Sequence, residues 1–333
     1  MKKFFNKPVD LKKLKANVLR NLEEQSSYWG NYAKKLHNFT EEVKNCPICN
    51  SDQSAAVVTI YNFNYLQCES CTHVYNSSRL NSKMRKSFYR EIDKPISYSD
   101  TYTDKKVQKY RLEHVAQGKV DFIQKHINKT PSKWLDLACG NGDIIYLAEK
   151  LGHNITGVES NEDCINYAKE FYGLKIDKSK IENYNPKEKF DIISLLGITD
   201  LIPDPNALLK KCYNLLQPNG IIAVEFPNYN SLSTLIQKSF PNQIVCRHMY
   251  PTVMNIYTYK SVELLLKNIG LNIDSIWWYG MDIYELTTNL MLIEPKTKIS
   301  GLSDSLFLYM NNLQEALDKN EQSDNFLIIA KKQ

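Results

Sequence analysis

Between Trp134 and Ile145 the chain reads Trp-Leu-Asp-Leu-Ala-Cys-Gly140-Asn-Gly142-Asp-Ile-Ile, an apolar strand, a Gly-x-Gly turn and the opening of an apolar-periodic helix. Few architectures accept that order. A strand that ends in a glycine turn and opens a helix is how parallel α/β sheets bring backbone N–H groups up to a nucleotide-type ligand. The flanking pattern agrees, with strands at 133–138, 154–158, 174–177, 189–196 and 219–226 and helices at 142–151, 161–172 and 205–216. Strands separated by helices of about ten residues predict an α/β fold with a doubly wound, Rossmann-like parallel sheet. A helix from about Lys105 to Ile127 precedes it.

Two details narrow the ligand. A dinucleotide fingerprint wants a third glycine three residues after Gly142, and this chain has Ile145 there. Asp136 lies inside the first strand, four residues before Gly140, and Glu159 ends the next strand, 23 residues after Asp136. A carboxylate at that second position can accept hydrogen bonds from both hydroxyls of a ribose. Gly140 and Gly142 would let the backbone approach the ligand closely.

Four of the eight cysteines form a second pattern, Cys46-Pro-Ile-Cys49, eighteen residues, then Cys68-Glu-Ser-Cys71. Each Cys-x-x-Cys puts two thiolates on one turn, and two such knuckles complete a tetrahedron around zinc. With four sulfur ligands no position is open to water or substrate, so the metal is expected to be structural. Cys139, Cys164, Cys212 and Cys246 are scattered, as packing residues are. The neighbours Asp52, Gln53, Tyr61, Asn62, Glu69 and Ser70 are not basic.

Charge is distributed unevenly. Residues 1–45 hold ten of the 42 Lys and Arg against five of the 37 acids, so the other 288 residues balance at 32 of each sign. A body acting on nucleic acid is usually basic, and this balance points to a small-molecule partner. No apolar run approaches the ~18 residues of a membrane span, and the start lacks the apolar core of an export signal. A cytoplasmic location with reduced thiols is therefore expected. Val9, Leu11, Leu14, Val18 and Leu22 predict helix over residues 9–45, a stripe expected to pack on its own protein, with a homodimer, another partner or an anionic membrane as alternatives. The expected domains are a helical segment (1–45), a zinc-binding ribbon (46–90) and a catalytic domain (91–333).

The run from Leu135 to Gly142 followed by Gly157-Val-Glu159 resembles the cofactor motif of class I S-adenosylmethionine-dependent methyltransferases. Later segments agree in order: Phe190-Asp-Ile-Ile-Ser-Leu-Leu, Pro203-Asp-Pro205, the stretch from Leu215 to Asn228, the stretch from Ile256 to Gly270, and Asn325-Phe-Leu-Ile-Ile-Ala-Lys-Lys as an antiparallel last strand. The ribbon resembles the N-terminal zinc module of sugar and small-molecule methyltransferases. The resemblance implies that Gly140 and Gly142 pass close to the methionine part of the cofactor and that Glu159 holds the ribose, with Ala138 and Ser160 also at the cofactor site. It also implies that Ile181 and Glu182 lie by the adenine, that Leu196 and Gly197 border the sulfonium end, and that Asp136 orders the loop. Tyr102 and Arg111 could close over the cofactor carboxylate.

On the acceptor side the chain departs from those relatives. Where they commonly carry an acid followed by His, this sequence has Asp200-Leu201, and the later His-rich stretch reads Met254-Asn-Ile-Tyr257. His248 is the best candidate base, with Asp200 and Tyr257 as weaker ones. Three functions follow. The leading one is methyl transfer to a small molecule, which the resemblance implies to be a sugar or nucleotide-linked sugar in surface-polysaccharide or natural-product biosynthesis. The second is a protein or RNA methyltransferase that docks through the ribbon. The third is a binding protein that keeps the cofactor fold without catalysis.

Overall fold

The structure is a computed structural model and describes residues 1–5, 8–81, 83–84, 104–243 and 248–332. Tyr98, Tyr102, Cys246 and Arg247 lie outside the described residues. The main sheet has eight strands: β1 (Lys2–Phe5), β5 (Lys133–Leu137), β6 (Asn154–Glu159), β7 (Asp177–Lys178), β8 (Phe190–Leu195), β9 (Leu216–Pro227), β11 (Leu271–Tyr279) and β12 (Asn325–Lys332). Their spatial order is β1-β11-β12-β9-β8-β5-β6-β7, with β12 antiparallel to both its neighbours and every other pairing parallel. The chain leaves β5 for β6 on one side and reaches β8 on the other. Strand order therefore reverses at β5, and a crevice opens beyond the carboxyl ends of β5 and β8.

Helices stand near 105–124, 143–150, 162–172, 205–215 and 259–269, where the sequence places them, and others are added. They are α1 (Leu11–Leu14), α2 (Ala16–Arg20), α3 (Leu22–Leu36), α4 (Lys105–Arg111), α5 (Gln117–Gln124), α6 (Asp143–Lys150), α7 (Glu162–Tyr172), α8 (Pro205–Leu215), α9 (Leu232–Ser239), α10 (Tyr259–Ile269), α11 (Asp282–Ile293), α12 (Lys296–Ile299), α13 (Leu302–Leu308) and α14 (Met310–Lys319). Their starts are chemically marked. Asn161 caps α7 through Asp163 N–H at 2.9 Å, Asp204 with Pro205 opens α8, and Thr258 with Ser261 forms a capping box on α10.

Helix over residues 9–45 is only partly realised. It breaks at Lys15 and Asn21, ends at Leu36, and a 3-10 turn, His37–Phe39, follows. The breaks have a packing cause. Val9, Leu11 and Leu14 are buried against Ile283, Tyr284 and Met310 near the C-terminus. Trp29, Ala33 and Leu36 are buried against the ribbon instead. One straight helix could not serve both partners. Strands β1 and β11 and helices α9 and α11 to α14 have no counterpart in the sequence reading, and the strand expected at 174–177 is reduced to Asp177–Lys178.

The ribbon forms a second sheet from β2 (Ser54–Ile60), β3 (Phe63–Cys68) and β4 (Val74–Asn76), which continues into β10 (Asn255–Ile256). Tyr61 and Asn62 take positive φ (46° and 68°) in the two-residue hairpin turn between β2 and β3. Among the described residues no helix is long and apolar enough to cross a membrane.

Candidate functional site

The glycine loop sits at the mouth of the crevice. Ala138, Gly140 and Gly142 all have positive φ, 56°, 55° and 80°. Alternating left-handed residues turn successive backbone N–H groups to one side, and a non-glycine residue held there marks a functional strain. The two glycines do different work. A Cβ on Gly140 would meet nothing within 4 Å, so that backbone faces open space where a ligand can approach. A Cβ on Gly142 would lie 2.8 Å from Leu174 Cδ1, so Gly142 serves packing of α6 against the segment after α7. The missing third glycine has a structural answer too. Ile145 fills the space over Gly157 on β6, where a Cβ would come within 2.1 Å of Ile145 Cδ1. The close helix–strand approach is kept, with the small residue on the strand.

Glu159 fastens this loop. Its Oε2 accepts from Gly140 N–H (3.0 Å), and its Oε1 accepts from Ser160 N–H (2.7 Å) and Asn161 N–H (2.8 Å). A carboxylate offers about four lone-pair positions, so one remains for a ribose hydroxyl unless the loop contacts are shared. Asp136 is buried on β5. It accepts from Ser194 Oγ at 2.5 Å, and Ser194 in turn accepts from Trp134 Nε1 at 2.8 Å. Burial pushes its carboxyl up to about 7, against the pull of Ser194 and the Lys119 charge. Arg111 ends α4 within electrostatic reach of Asp143, which follows the loop and accepts from Tyr172 OH at 2.8 Å. Ile181 is buried and Glu182 is exposed, and Lys211 Nζ donates to both their carbonyls at 2.8 and 3.0 Å. Leu196 is half-buried and Gly197 exposed at the end of β8, with Gly197 at φ 74°.

A buried polar trio beside this edge escaped the sequence reading. Glu225 Oε2 pairs with Lys119 Nζ of α5 at 2.5 Å, and Oε1 accepts from Tyr279 OH at 2.5 Å. A Cβ on Gly197 would lie 3.9 Å from Glu225 Oε2, which puts the carboxylate under the loop after β8. The signal was present. Glu225 is a charge inside the otherwise apolar run Ile221-Ile-Ala-Val-Glu-Phe, and a buried carboxylate needs partners.

The acceptor-side candidates are linked to one another by hydrogen bonds. Asn228 and Tyr257 form an isolated bridge, His248 Nε2 donates to Asn228 O (2.9 Å), and Met254 N–H donates to Asp200 O (2.7 Å). The carbonyl of Asn228 can only accept, so it fixes the proton of neutral His248 on Nε2 and leaves Nδ1 with its lone pair. Burial lowers the His248 pKa, opposed by the Asp282 charge and the Asn228 hydrogen bond. Tyr257 is fully buried and its hydroxyl donates to Thr199 O at 3.0 Å, so it braces the turn Thr199–Leu201. Asp200 is half-buried on that turn.

The four ribbon sulfurs all lie within 4.8 Å of one another, with Cys46–Cys71 and Cys49–Cys68 each at 3.5 Å. Tetrahedral zinc at about 2.3 Å from each sulfur has S–S edges of about 3.8 Å, so the quartet fits that metal. The knuckles are not remote from the sheet. Cys46, Ile48, Cys68 and Cys71 belong to the same apolar cluster as Leu195, Leu209 and Val224, and Asn206 Nδ2 of α8 donates to the Pro47 and Ile48 carbonyls (2.7 and 3.1 Å). Thr72 Oγ1 meets Thr258 Oγ1 at 2.7 Å, and buried His73 Nε2 meets Asn255 Oδ1 at 3.0 Å.

A family profile described as "Methyltransferase domain" matches residues 107–276. Ubiquinone biosynthesis O-methyltransferase of Actinobacillus pleuropneumoniae serotype 7 is 28% identical over 144 residues, 40% of this chain and 62% of that protein. The Stutzerimonas stutzeri protein of the same name is 25% identical over 149 residues, 43% of this chain and 64% of that one. The matches thus span just under two thirds of either relative. Among solved structures, magnesium protoporphyrin IX methyltransferase from Synechocystis PCC 6803 is 10% identical, covering 76% of this chain and 96% of that one with a TM-score of 0.47. The profile match takes in half the chain, from the helix ahead of the glycine loop, through the crevice, to β11. The chain belongs to the methyltransferase-domain family.

Proposed function

We propose that the protein transfers a methyl group from S-adenosylmethionine to a small polar acceptor, a sugar or nucleotide-linked sugar. The observation that supports this reading is the strand-order reversal at β5, where open backbone at Gly140 meets the carboxylate of Glu159, with His248 held on the carbonyl of Asn228 just beyond β9. When bound, the cofactor supplies an electrophilic methyl on a sulfonium. The chain's own task is alignment and proton removal. The loop from Ala138 to Gly142 would hold the methionine part, Glu159 the ribose, and the backbone around Ile181 and Glu182 the adenine. Leu196 and Gly197 would border the sulfonium. His248, neutral and with Nδ1 unprotonated, would take the proton of an acceptor hydroxyl, and Asn228 holds its ring. Cys46, Cys49, Cys68 and Cys71 would hold a structural zinc whose ribbon supports the acceptor-side segment.

Radiolabelled methyl transfer from S-adenosylmethionine to small-molecule, protein and RNA pools tests this reading. Label should enter the small-molecule pool and be found on a sugar. Label confined to protein or RNA would contradict it.

A further inference from the structure

Helix α11 buries polar residues beside its apolar Ile283 and Tyr284. Asp282, Glu285, Thr288 and Asn289 are buried, while Leu286 and Leu290 are half-exposed and Ile293 is exposed. It packs against α3 and α9. Those two helices each carry a buried glutamine only half used. Gln25 on α3 is 5% exposed and its Oε1 accepts from Trp29 Nε1 (3.2 Å). Gln237 on α9 is 2% exposed and its Oε1 accepts from Met249 N–H (3.1 Å). In both, the Nε2 amide group is buried and makes no hydrogen bond to the protein. The two glutamines belong to one wall. Trp29 O accepts from Tyr250 OH at 3.1 Å, the Trp29 and Tyr250 rings stand edge to face at 5.4 Å, and Met249 joins Tyr250 to His248 along the chain.

Buried amide donors are almost always partnered, and leaving one unmade is costly. Two such donors, joined through Trp29, Tyr250 and Met249 in a chain of contacts that ends one residue from His248, are left without the oxygen acceptor that a buried amide requires. We infer that this wall, formed by α3, α9 and Met249–Tyr250, binds the methyl acceptor, with the Gln25 and Gln237 amides donating to oxygens of a polyhydroxylated ring. The inference rests on the methyl-transfer reading above and adds the residues that would select the acceptor. Amide N–H₂ groups are donors only, so they favour hydroxyl and ether oxygens over an apolar or cationic acceptor. Neither glutamine removes a proton. Their role is positioning, and they should act on acceptor affinity.

Calorimetry on the full chain saturated with S-adenosylhomocysteine tests this, using free hexoses, nucleoside-diphosphate hexoses and catechol as probes. Hexose and nucleotide hexose separate recognition of the ring alone from recognition that needs the diphosphate. We expect at least one hydroxylated ring to bind, and Gln25→Leu and Gln237→Leu each to weaken it by about tenfold or more. S-adenosylhomocysteine affinity should stay within about twofold, and the melting temperature should fall modestly, because each leucine also strands the donor that the glutamine Oε1 now serves, Trp29 Nε1 or Met249 N–H. Gln→Met at the same positions, closer in length, replaces any leucine variant that fails to fold. Binding of catechol with no hydroxylated ring bound would overturn the inference, as would sugar affinity unchanged in both variants. Failure of the wild-type protein to bind S-adenosylhomocysteine would instead strike the methyltransferase reading itself.

Discussion

Replacing His248 by Gln should lower the methyl-transfer rate by about 10²–10⁴-fold while leaving cofactor affinity unchanged. Gln keeps a donor for the Asn228 carbonyl, which His248 now serves at 2.9 Å, so the backbone bridge between Asn228 and Tyr257 is spared. What it removes is the proton acceptor at Nδ1. The pH profile separates this from a structural effect. Burial lowers the His248 pKa, so the base is neutral through the physiological range and activity should fall only below the ordinary histidine value of about 6.5. The acid limb should vanish from the residual activity of the variant. A loss under tenfold with the limb intact would make His248 a structural residue and move the role to Asp200.

Substituting Cys68 by Ser should lower the melting temperature of the whole protein by about 10 °C or more and abolish bound zinc. Separate cores would predict a local event, in which the ribbon melts and the rest stays. The packing argues otherwise. Knuckle residues share an apolar cluster with β8, β9 and α8, and β4 pairs directly with β10 at the acceptor edge. Loss of the metal should therefore loosen residues 253–258, and transfer should fall even where cofactor still binds. Differential scanning calorimetry with metal analysis checks this. A small early transition followed by an unshifted main one would show that the ribbon unfolds independently.

The alternation of strands and helices was legible because parallel strands buried on both faces read as apolar runs, and their helices carry explicit caps at Asn161, Asp204 and Thr258. The antiparallel β12 came from the family resemblance and not from the local pattern. Strand β1 was not, since four residues beginning Lys-Lys carry no period, and its place beside β11 is set by a partner some 270 residues away. The breaks at Lys15 and Asn21 were equally hidden, because they answer to two different packing partners and not to local propensity. At the site, the glycines were found but their roles were not separable. Only the packing shows that Gly142 makes room for Leu174 and that Ile145 rests over Gly157. Glu159 was placed as a ribose ligand, whereas its three backbone contacts also make it the clasp of the loop.

That clasp offers the most direct measurement on the central claim, calorimetric titration of the wild-type protein and Glu159→Ala with S-adenosylmethionine and with NAD. Wild-type protein should bind S-adenosylmethionine and not the dinucleotide, in keeping with the methyltransferase-domain match over residues 107–276. In Glu159→Ala both the proposed ribose contact and the anchor on Gly140 are lost, and affinity should drop by about 10–100-fold, at roughly 1.5–3 kcal/mol for a hydrogen bond to a charged acceptor. Absence of S-adenosylmethionine binding in the wild type, or binding of NAD in its place, would contradict the account.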